Sequence, residues 1–285
     1  RLTGWPNQGV GRINPDGSRG NCSACHARHE FSIEVASKPH TCSECHKGPD
    51  VPAYKVYMVS KHGNIYSSKK GEWNFNSVPW AVDRDFTAPT CAVCHVGLIT
   101  TESGEVIAER THQMNDRLDW RLFGLIYAHP HPESADLSDI RNESGYPLPT
   151  ELTGEYVSSA LISEKEQAER RQKMKNVCGA CHSEAWTNQH FEQLDHTVKQ
   201  TNESTLTATK LLLQAWERNI EKGIPHSKNP FDETIEKKWV EHWLFFSNSI
   251  RFASAMAGAD YGVFANGRWY LNKNIQEIKD WLEIK

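Results

Sequence analysis

Apolar residues recur with a helical period only in the C-terminal half of this 285-residue chain. Two segments there, at about 186–222 and 232–257, carry apolar positions three and four residues apart, which predicts two long amphipathic helices. Gly223 and Gly258 follow these segments, and glycine commonly ends a helix. We therefore expect the two helices to pack antiparallel as a hairpin. The predicted seams are Leu206, Thr209, Leu213, Trp216 and Ile220 in the first helix, and Ile235, Trp239, Trp243, Phe246, Ile250, Ala253 and Ala257 in the second.

The rest of the chain has a weaker pattern. A capping box from Ser163 to Glu166 predicts a charged helix before the long ones, and Asn274 to Glu277 predicts the start of a short final helix. Before Thr150 no period is sustained, so loops and short helices are expected. Prolines exclude long helices in the later part of that region, at Pro130, Pro132, Pro147 and Pro149. We predict a mainly α fold with an irregular part at 1–150 and a helical part at 151–285.

One five-residue motif, Cys-x-x-Cys-His, occurs four times and uses all eight cysteines. This motif is typical of c-type haem attachment, in which two thiols form thioethers to one porphyrin and the histidine binds its iron. The sequence therefore predicts four covalently attached haem c groups, three in the irregular part and one in the helical part. The predicted anchors are Cys22, Cys25, Cys42, Cys45, Cys91, Cys94, Cys178 and Cys181, and the predicted proximal iron ligands are His26, His46, His95 and His182.

Other uses of paired cysteines explain the pattern less well. Zinc and iron–sulfur sites do not require a histidine after every second cysteine. A redox dithiol would not repeat four times outside a βαβ context. Disulfides would not impose the same two-residue gap and the same trailing histidine each time. Four haems would also provide apolar surface for a chain with 38% hydrophobic residues to fold around.

Ten of the 14 histidines lie outside the motifs. Low-spin, electron-carrying haems usually take a second axial histidine, whereas catalytic haems keep that position open. Ten histidines are enough to complete four bis-His haems. His29 is too close to His26 to bind the same iron, but it could reach a neighbouring one. The predicted distal ligands are His29, His62, His112 and His131, with His129 as an equal alternative to His131 and with His40 and His196 as further rivals.

Charge and hydropathy exclude some functions and locations. A net charge of −4 and a pI near 6.4 give no basic surface for nucleic acid. The mean hydropathy is −0.64, and no apolar run reaches the roughly 18–20 residues of a transmembrane helix. The sequence starts at Arg1, from which we expect a removed leader or a cut fragment. Because covalent haem attachment is normally completed outside the cytoplasm, an extracellular, cell-surface or periplasmic location is expected.

A set of segments spread along the chain forms a further pattern: Gly9–Gly17, Cys22–His29, Cys45–Asp50, Ser60–Gly63, the third motif with Thr111-His112, Val177–His182 and Met256–Tyr261. These segments resemble the octahaem hydroxylamine oxidoreductase family. They keep the order found in that family and cover nearly the whole chain. The resemblance implies a mostly helical multihaem fold with long C-terminal helices, in which His29, His62 and His112 are distal ligands.

The departures from this family concern the active site. The family has eight haems, and this chain corresponds to its C-terminal half. Where the family commonly has histidines, this sequence has Val51, Phe245-Phe246 and Ala265. Tyr261 lies in a region that carries a haem-linked tyrosine in the family's enzymes. The combined losses favour a relative that kept electron transfer and lost catalysis.

Three functions follow as hypotheses. The first is a tetrahaem electron-transfer cytochrome whose partners are redox proteins or other copies of itself. A head-to-tail contact that does not close would build an oligomer or an extracellular conductive filament, with one axial histidine donated across the junction. The second is an enzyme acting on hydroxylamine, hydrazine or nitrite at a five-coordinate haem lined by Asp50, Tyr261 or a spare histidine. The third is one half of an octahaem enzyme. The first, which is not an enzyme, is preferred.

Overall fold

A computed structural model describes residues 15–16, 20–134, 139–218, 233–256 and 268–284. The chain forms two compact units, each assembled from separate segments. The first unit contains the described residues of Arg1–Gly48 together with Ala53–Asp119 and Glu164–Thr187. The second contains Pro49–Pro52, Trp120–Ser163 and the described residues of Asn188–Lys285. No helix among the described residues is both long and apolar enough to span a membrane.

The first unit consists of short helices, a small sheet and one longer helix. A 3-10 turn at Cys22–Ala24 precedes these elements. The helices are α1 Ile33–Ser37, α2 Pro39–Ser43, α3 Ala53–Val59, α4 Lys61–Lys69, α5 Cys91–His95 and α6 Glu164–Gly179. The strands are β1 Trp80–Ala81, β2 Ile99–Thr100 and β3 Val106–Ala108.

Aromatic side chains fill the interior of the first unit beside its three-stranded sheet. Strand β1 pairs parallel with β2, with Trp80 opposite Ile99, and β2 pairs antiparallel with β3. Trp80 lies 4.6 Å from Phe86 between ring centroids, and its indole nitrogen donates to the carbonyl of Asn74. Burying large rings around a short sheet gives a loop-rich segment a core of its own. The cluster consists of Tyr57, Tyr66, Trp73, Phe75, Trp80 and Phe86.

The second unit contains the long helices. Strands β4 Trp120–Arg121 and β5 His129–Pro130 pair antiparallel, and a 3-10 turn lies at Ser158–Ala160. Helix α7 spans Glu184–Glu217, so its first turn belongs to the first unit and the rest to the second. A second helical stretch follows as α8 Thr234–Val240, a π-helical turn at Glu241–Ser247 and α9 Asn248–Ala255. Helix α10 spans Trp269–Ile284.

Helix α7 runs antiparallel to the stretch from α8 to α9. Trp239 donates to Thr209 at 2.9 Å, and Ser254 donates to Thr197 at 3.1 Å, so the residue numbers fall along one helix as they rise along the other. Both helices, together with α10, surround one hydrophobic core. Its buried members are Ile126, Tyr127, Ala208, Leu212, Ala215, Ile235, Trp239, Trp243, Ile278 and Leu282.

The prediction of a mainly α fold is confirmed, and several of its details need correction. The seam of α7 lies beside the predicted one, because Leu212 is fully buried whereas Leu213 is half-buried. A stripe of threonines at positions 197, 201, 205 and 209 forms part of this buried face. Each of these hydroxyls donates to the carbonyl four residues earlier, which satisfies its polarity inside the packed helix.

The two other predicted helices also differ in detail. In the stretch from 234 to 255 the apolar stripe holds at Ile235, Trp239, Trp243, Ile250 and Ala253, but a π-helical turn interrupts the regular hydrogen bonding. The final helix begins at Trp269, so the proposed start at Asn274 is wrong. Asn274 is instead buried within that helix. Ile220, Gly223, Ala257 and Gly258 lie outside the described residues.

The compact units follow a different partition from the predicted domains. All four Cys-x-x-Cys-His motifs, including the fourth at residues 178–182, belong to the first unit. Helix α6 ends within the fourth motif, at Gly179, and packs against β3 and α5 within that unit. The division at residue 150 stays a prediction about folding domains. The functional site depends on the presence of all four motifs in one compact unit.

Candidate haem-attachment sites

Each Cys-x-x-Cys-His motif lies on a single helical turn. The amide of His26 donates to the carbonyl of Cys22 at 2.9 Å, and His46 and His182 repeat this contact with Cys42 and Cys178 at 3.0 Å. The third motif is itself the short helix α5. A helical turn brings residues four apart to one face. The first cysteine and the histidine of each motif are therefore held close together by the backbone.

The residues of the motifs fit haem attachment. All eight cysteines are described by the structure and are free thiols, with Cys22, Cys45 and Cys181 exposed and the other five partly covered. Free, accessible thiols are required for thioether formation with a porphyrin. Once bound, a haem c group would supply an iron centre that changes its oxidation state by one electron. The thiols and histidines of the motifs would hold it.

Backbone carbonyls orient two of the motif histidines. Nδ1 of His95 lies 3.1 Å from the carbonyl oxygen of Met114, and Nδ1 of His26 lies 3.3 Å from that of Ser32. A metal-binding histidine usually donates its second ring nitrogen in this way, which fixes both the tautomer and the ring orientation. Burial, followed by the positive charges of His46 and Arg117, lowers the pKa of His95 and favours the neutral imidazole that can bind a metal.

Two exposed aromatic rings stack on motif histidines. The ring of Phe31 lies 4.8 Å from that of His26 at an angle of 9°, and the ring of Trp186 lies 4.0 Å from that of His182 at 18°. Phe31 is 55% exposed and Trp186 is 38% exposed. A bound porphyrin would give both rings apolar surface to contact. Sequence reasoning missed both residues, although each follows its motif histidine by four or five positions.

The motifs form a connected series in their sequence order. The negative charges of the Cys42 and Cys45 thiolates contribute, after burial, to raising the pKa of Cys25, which links the first motif to the second. Cys42 and Cys91 influence each other's pKa, and the helices α2 and α5 that contain them pack together, which links the second motif to the third. These contacts require the three motifs to lie within the short range of charge–charge interaction.

The fourth motif joins the series through the third. Burial, followed by the charge of the Cys178 thiolate, raises the pKa of Cys94 to about 12. Burial also raises the pKa of Cys178, to about 11. High thiol pKa values keep these cysteines protonated until they react. Cys94 and Cys178 are 84 positions apart in the chain and are brought together by the packing of α5 against α6.

His62 is the predicted distal ligand that lies next to a motif histidine. Its ring centroid is 6.1 Å from that of His182, with 52° between the ring planes. Two imidazoles on opposite sides of one metal, each bonded at about 2 Å, have ring centroids roughly 6 Å apart. Ser60 accepts a hydrogen bond from Gly63 at 3.2 Å and so caps the helix that carries His62. This geometry fits a pair of axial ligands.

The other predicted distal ligands lie at different positions. His29 and His112 are exposed in the first unit, His29 after the first motif and His112 after Thr111, whose amide donates to Val96 at 3.0 Å. His131 is half-buried in the second unit, and its carbonyl accepts from Ile162. For these three residues iron binding stays a prediction.

The rival ligands differ mainly in burial. His129 is completely buried, and its Nδ1 lies 2.6 Å from the carbonyl oxygen of Pro130. His40 and His196 are exposed. Of the residues proposed to line an open haem, Asp50 is half-buried and its backbone carbonyl accepts from Asn248 at 3.1 Å. Tyr261 lies outside the described residues.

Comparison with known proteins supports the haem assignment. The family model described as "Seven times multi-haem cytochrome CxxCH" matches residues 15–120, which contain the first three motifs. The chain is therefore similar to multihaem c-type cytochromes, a class of proteins that bind haem c covalently. A solved structure described as "Hypothetical multiheme protein" is 42% identical and superimposes with a TM-score of 0.90. The match covers 99% of this chain and 61% of that chain.

Two further proteins similar to this chain come from Kuenenia stuttgartiensis. A probable nitrite reductase–hydroxylamine oxidoreductase fusion protein is 28% identical over 224 residues, which are 74% of this chain and 24% of that protein. A chain of a reducing hydroxylamine oxidoreductase-like protein complex is 18% identical and superimposes with a TM-score of 0.70. The match covers 92% of this chain and 58% of that chain, and it supports the fold. The expected resemblance to hydroxylamine oxidoreductase-like proteins is thereby confirmed. The chain spans about a quarter of the length of the fusion protein.

Proposed function

We propose that this chain carries four haem c groups and transfers electrons along them in the order of the motifs. The observation that supports this proposal best is that all four motifs lie in one compact unit, in which α5 of the third motif packs against α2 and α6, the helices that contain Cys42 and Cys178. Haems anchored on neighbouring turns would be close enough to exchange electrons directly. The electrons would come from and go to redox partner proteins or other copies of this chain.

The distal histidines are part of the same proposal. His62 would bind the iron held by His182, and His29, His112 and His131 would complete the other three. An iron with two histidine ligands has no open position for a substrate, so it stores and passes electrons. The spacing of 6.1 Å between the rings of His62 and His182 is the geometric support for one of these four pairs.

The first experiment is a count of haems and of their spin states. The intact mass and the pyridine haemochrome absorbance of the purified protein should both give four haems per chain. Electron paramagnetic resonance of the oxidised protein should show only low-spin iron, and cyanide or hydroxylamine should leave the spectrum unchanged. Fewer than four haems would contradict the tetrahaem proposal, and a high-spin signal would contradict bis-His ligation throughout.

The second experiment tests His62 directly. Replacing His62 by glycine should convert one haem in four to a high-spin form, because one iron loses its distal ligand. Added imidazole should restore the low-spin spectrum. Asn64→Ala is a matched control, since Asn64 is exposed on the same helix and bonds only the carbonyl of Ser60 among its recorded partners. An unchanged spectrum in His62→Gly would remove His62 from the ligand set.

A second candidate function is catalysis on a small nitrogen compound. The observation in its favour is the relative from Kuenenia, which is described as a probable nitrite reductase–hydroxylamine oxidoreductase fusion. Such an enzyme would need a five-coordinate haem, so the spin count separates it from an electron carrier. Turnover of hydroxylamine, hydrazine or nitrite by the isolated protein would favour the enzyme.

A third candidate is half of an octahaem enzyme. The chain covers 61% and 58% of the two solved structures, so those proteins contain substantial additional sequence. A separate haem-containing chain that copurifies with this one would support the idea. Purification from the native source at low salt, followed by haem staining of a denaturing gel, provides the test.

Assembly and location are proposed together with electron transfer. Copies that join head to tail would form an oligomer or a conductive filament outside the cell, at its surface or in the periplasm. Electron microscopy should then show haem-containing polymers. A strictly monomeric sedimentation profile at high concentration would exclude self-assembly and leave electron transfer to other partner proteins.

A further inference from the structure

Arg117 is a buried cation that contacts the backbone of the third motif. Its side chain is 2% exposed. Nη1 donates to the carbonyl of Val93 at 2.8 Å and to that of Cys94 at 3.5 Å. Nη2 donates to the carbonyl of Gly97 at 2.8 Å and to that of Glu109. Two of the four acceptors therefore belong to the Cys-x-x-Cys-His helix itself.

These contacts explain the local fold around α5. The carbonyls at the C-terminal end of a helix lack partners within that helix, and a cationic side chain can satisfy them. Arg117 does this from 20 to 24 positions further along the chain for Gly97, Cys94 and Val93. A planar guanidinium with five donors suits such a group of acceptors better than a lysine ammonium does.

In these contacts the guanidinium of Arg117 bonds only to neutral carbonyl groups, whereas the neighbouring cations pair with carboxylates. Arg171 pairs with Asp119, and Lys173 pairs with Asp116 at 2.7 Å. Arg170 pairs with Glu166. The negative charge of Asp116 reaches Arg117 electrostatically, but its carboxylate is hydrogen-bonded to Lys173. Four carbonyl dipoles stabilise the guanidinium without cancelling its net charge.

We propose that Arg117 raises the reduction potential of the haem anchored by Cys91, Cys94 and His95. Reduction of a ferric haem by one electron lowers its charge by one, so a nearby buried cation favours the ferrous form. Burial lowers the effective dielectric constant and weakens screening by salt, which strengthens this effect. Arg117 would then act on the iron through its charge, without touching it. The inference rests on the proposed electron-transfer function.

Replacement of Arg117 by glutamine removes the charge and keeps an amide donor. We expect the midpoint potential of one haem in four to fall, with a reduction equilibrium constant that is about tenfold smaller, which is about 59 mV for a one-electron couple. Arg117→Met is a second neutral variant in case glutamine prevents folding. Spectroelectrochemical titration of the holoprotein provides the measurement, with electron paramagnetic resonance to identify the shifted haem.

Arg117→Lys distinguishes the effect of the positive charge from the effect of the hydrogen bonds to the backbone. It keeps the cation but cannot reproduce the bonds to four carbonyls, so it should lower stability while leaving the midpoint potential close to that of the wild type. Arg170→Gln is the matched control, because it removes a paired arginine from the same unit and should shift the potentials less than Arg117→Gln does. An equal shift in Arg117→Lys and Arg117→Gln would overturn the proposal, as would unchanged potentials in both neutral variants. The haem count and spin state, measured on the same samples, test the proposed function separately.

Discussion

Replacing His242 by leucine should remove a pH dependence from the stability of the protein. His242 is fully buried on the π-helical turn, and its Nε2 lies 3.3 Å from the hydroxyl of Ser204. Burial, followed by the positive charge of Arg251, lowers its pKa to about 3. In an unfolded chain a histidine has a pKa of about 6.5. Folding therefore favours the neutral imidazole.

The sign and size of the effect follow from this difference. Above about pH 6.5 His242 is neutral in both states, and its contribution to stability is fully present. As the pH falls towards about 3, the unfolded chain binds a proton that the folded protein does not, so stability is lost. One pKa unit corresponds to about 1.36 kcal/mol, and the unfolded histidine is half protonated at pH 6.5, so this residue should cost about 2 kcal/mol between pH 6.5 and 4.5.

Urea denaturation of the holoprotein at several pH values, followed by far-ultraviolet circular dichroism, measures this loss. Other titrating groups affect the wild type and His242→Leu alike, so the difference between the two curves isolates His242. Phe246→Leu is the control, because it changes the same turn without a titratable group and should leave the pH slope intact. Parallel curves for the wild type and His242→Leu from pH 6.5 to 4.5 would refute the reasoning.

Three further substitutions test the packing of each unit, all measured by the same denaturation assay at pH 7. Leu212→Ala should cost about 2–5 kcal/mol, since a fully buried side chain is lost from the core of the second unit. Asn202→Ala should cost about 1–3 kcal/mol, because its half-buried amide oxygen accepts from the fully buried Arg251 at 2.7 Å. Asp119→Asn should cost about 1–3 kcal/mol through its weakened pairing with Arg171, and it should have a smaller effect once Arg171 is also replaced by methionine. Losses below about 0.5 kcal/mol would contradict the assigned contacts.

Much of the fold could be predicted because its signals are local. The Cys-x-x-Cys-His motifs are contiguous, and the stripe from Ile235 to Ala253 follows a helical period that burial confirms. The capping box at Ser163 gave the start of α6 within one residue. Each of these patterns depends on neighbours within about one or two helical turns, which a single sequence displays directly.

The remaining features depend on contacts between distant residues. The threonine stripe of α7 is buried against other helices, to which Trp239 and Ser254 belong, and an apolar periodicity does not reveal this. The π-helical turn places His242 in the interior, although a regular helix was expected there. Arg117 is an ordinary basic residue in the sequence, and it becomes part of a candidate site only when the chain returns to α5.

The order of contacts between the motifs constrains how a relay would work. The first motif approaches the second, the second approaches the third, and the third approaches the fourth. In such a series the first and fourth haems would exchange electrons with partners. The attachment sites of both have an exposed cysteine, Cys22 or Cys181, as does the second motif at Cys45. Both cysteines of the third motif are partly covered, and the buried Arg117 contacts the backbone of this motif. A raised potential at this internal position would hold an electron next to the fourth haem, so Arg117→Gln should change how fast electrons leave through that end while the haem count stays constant.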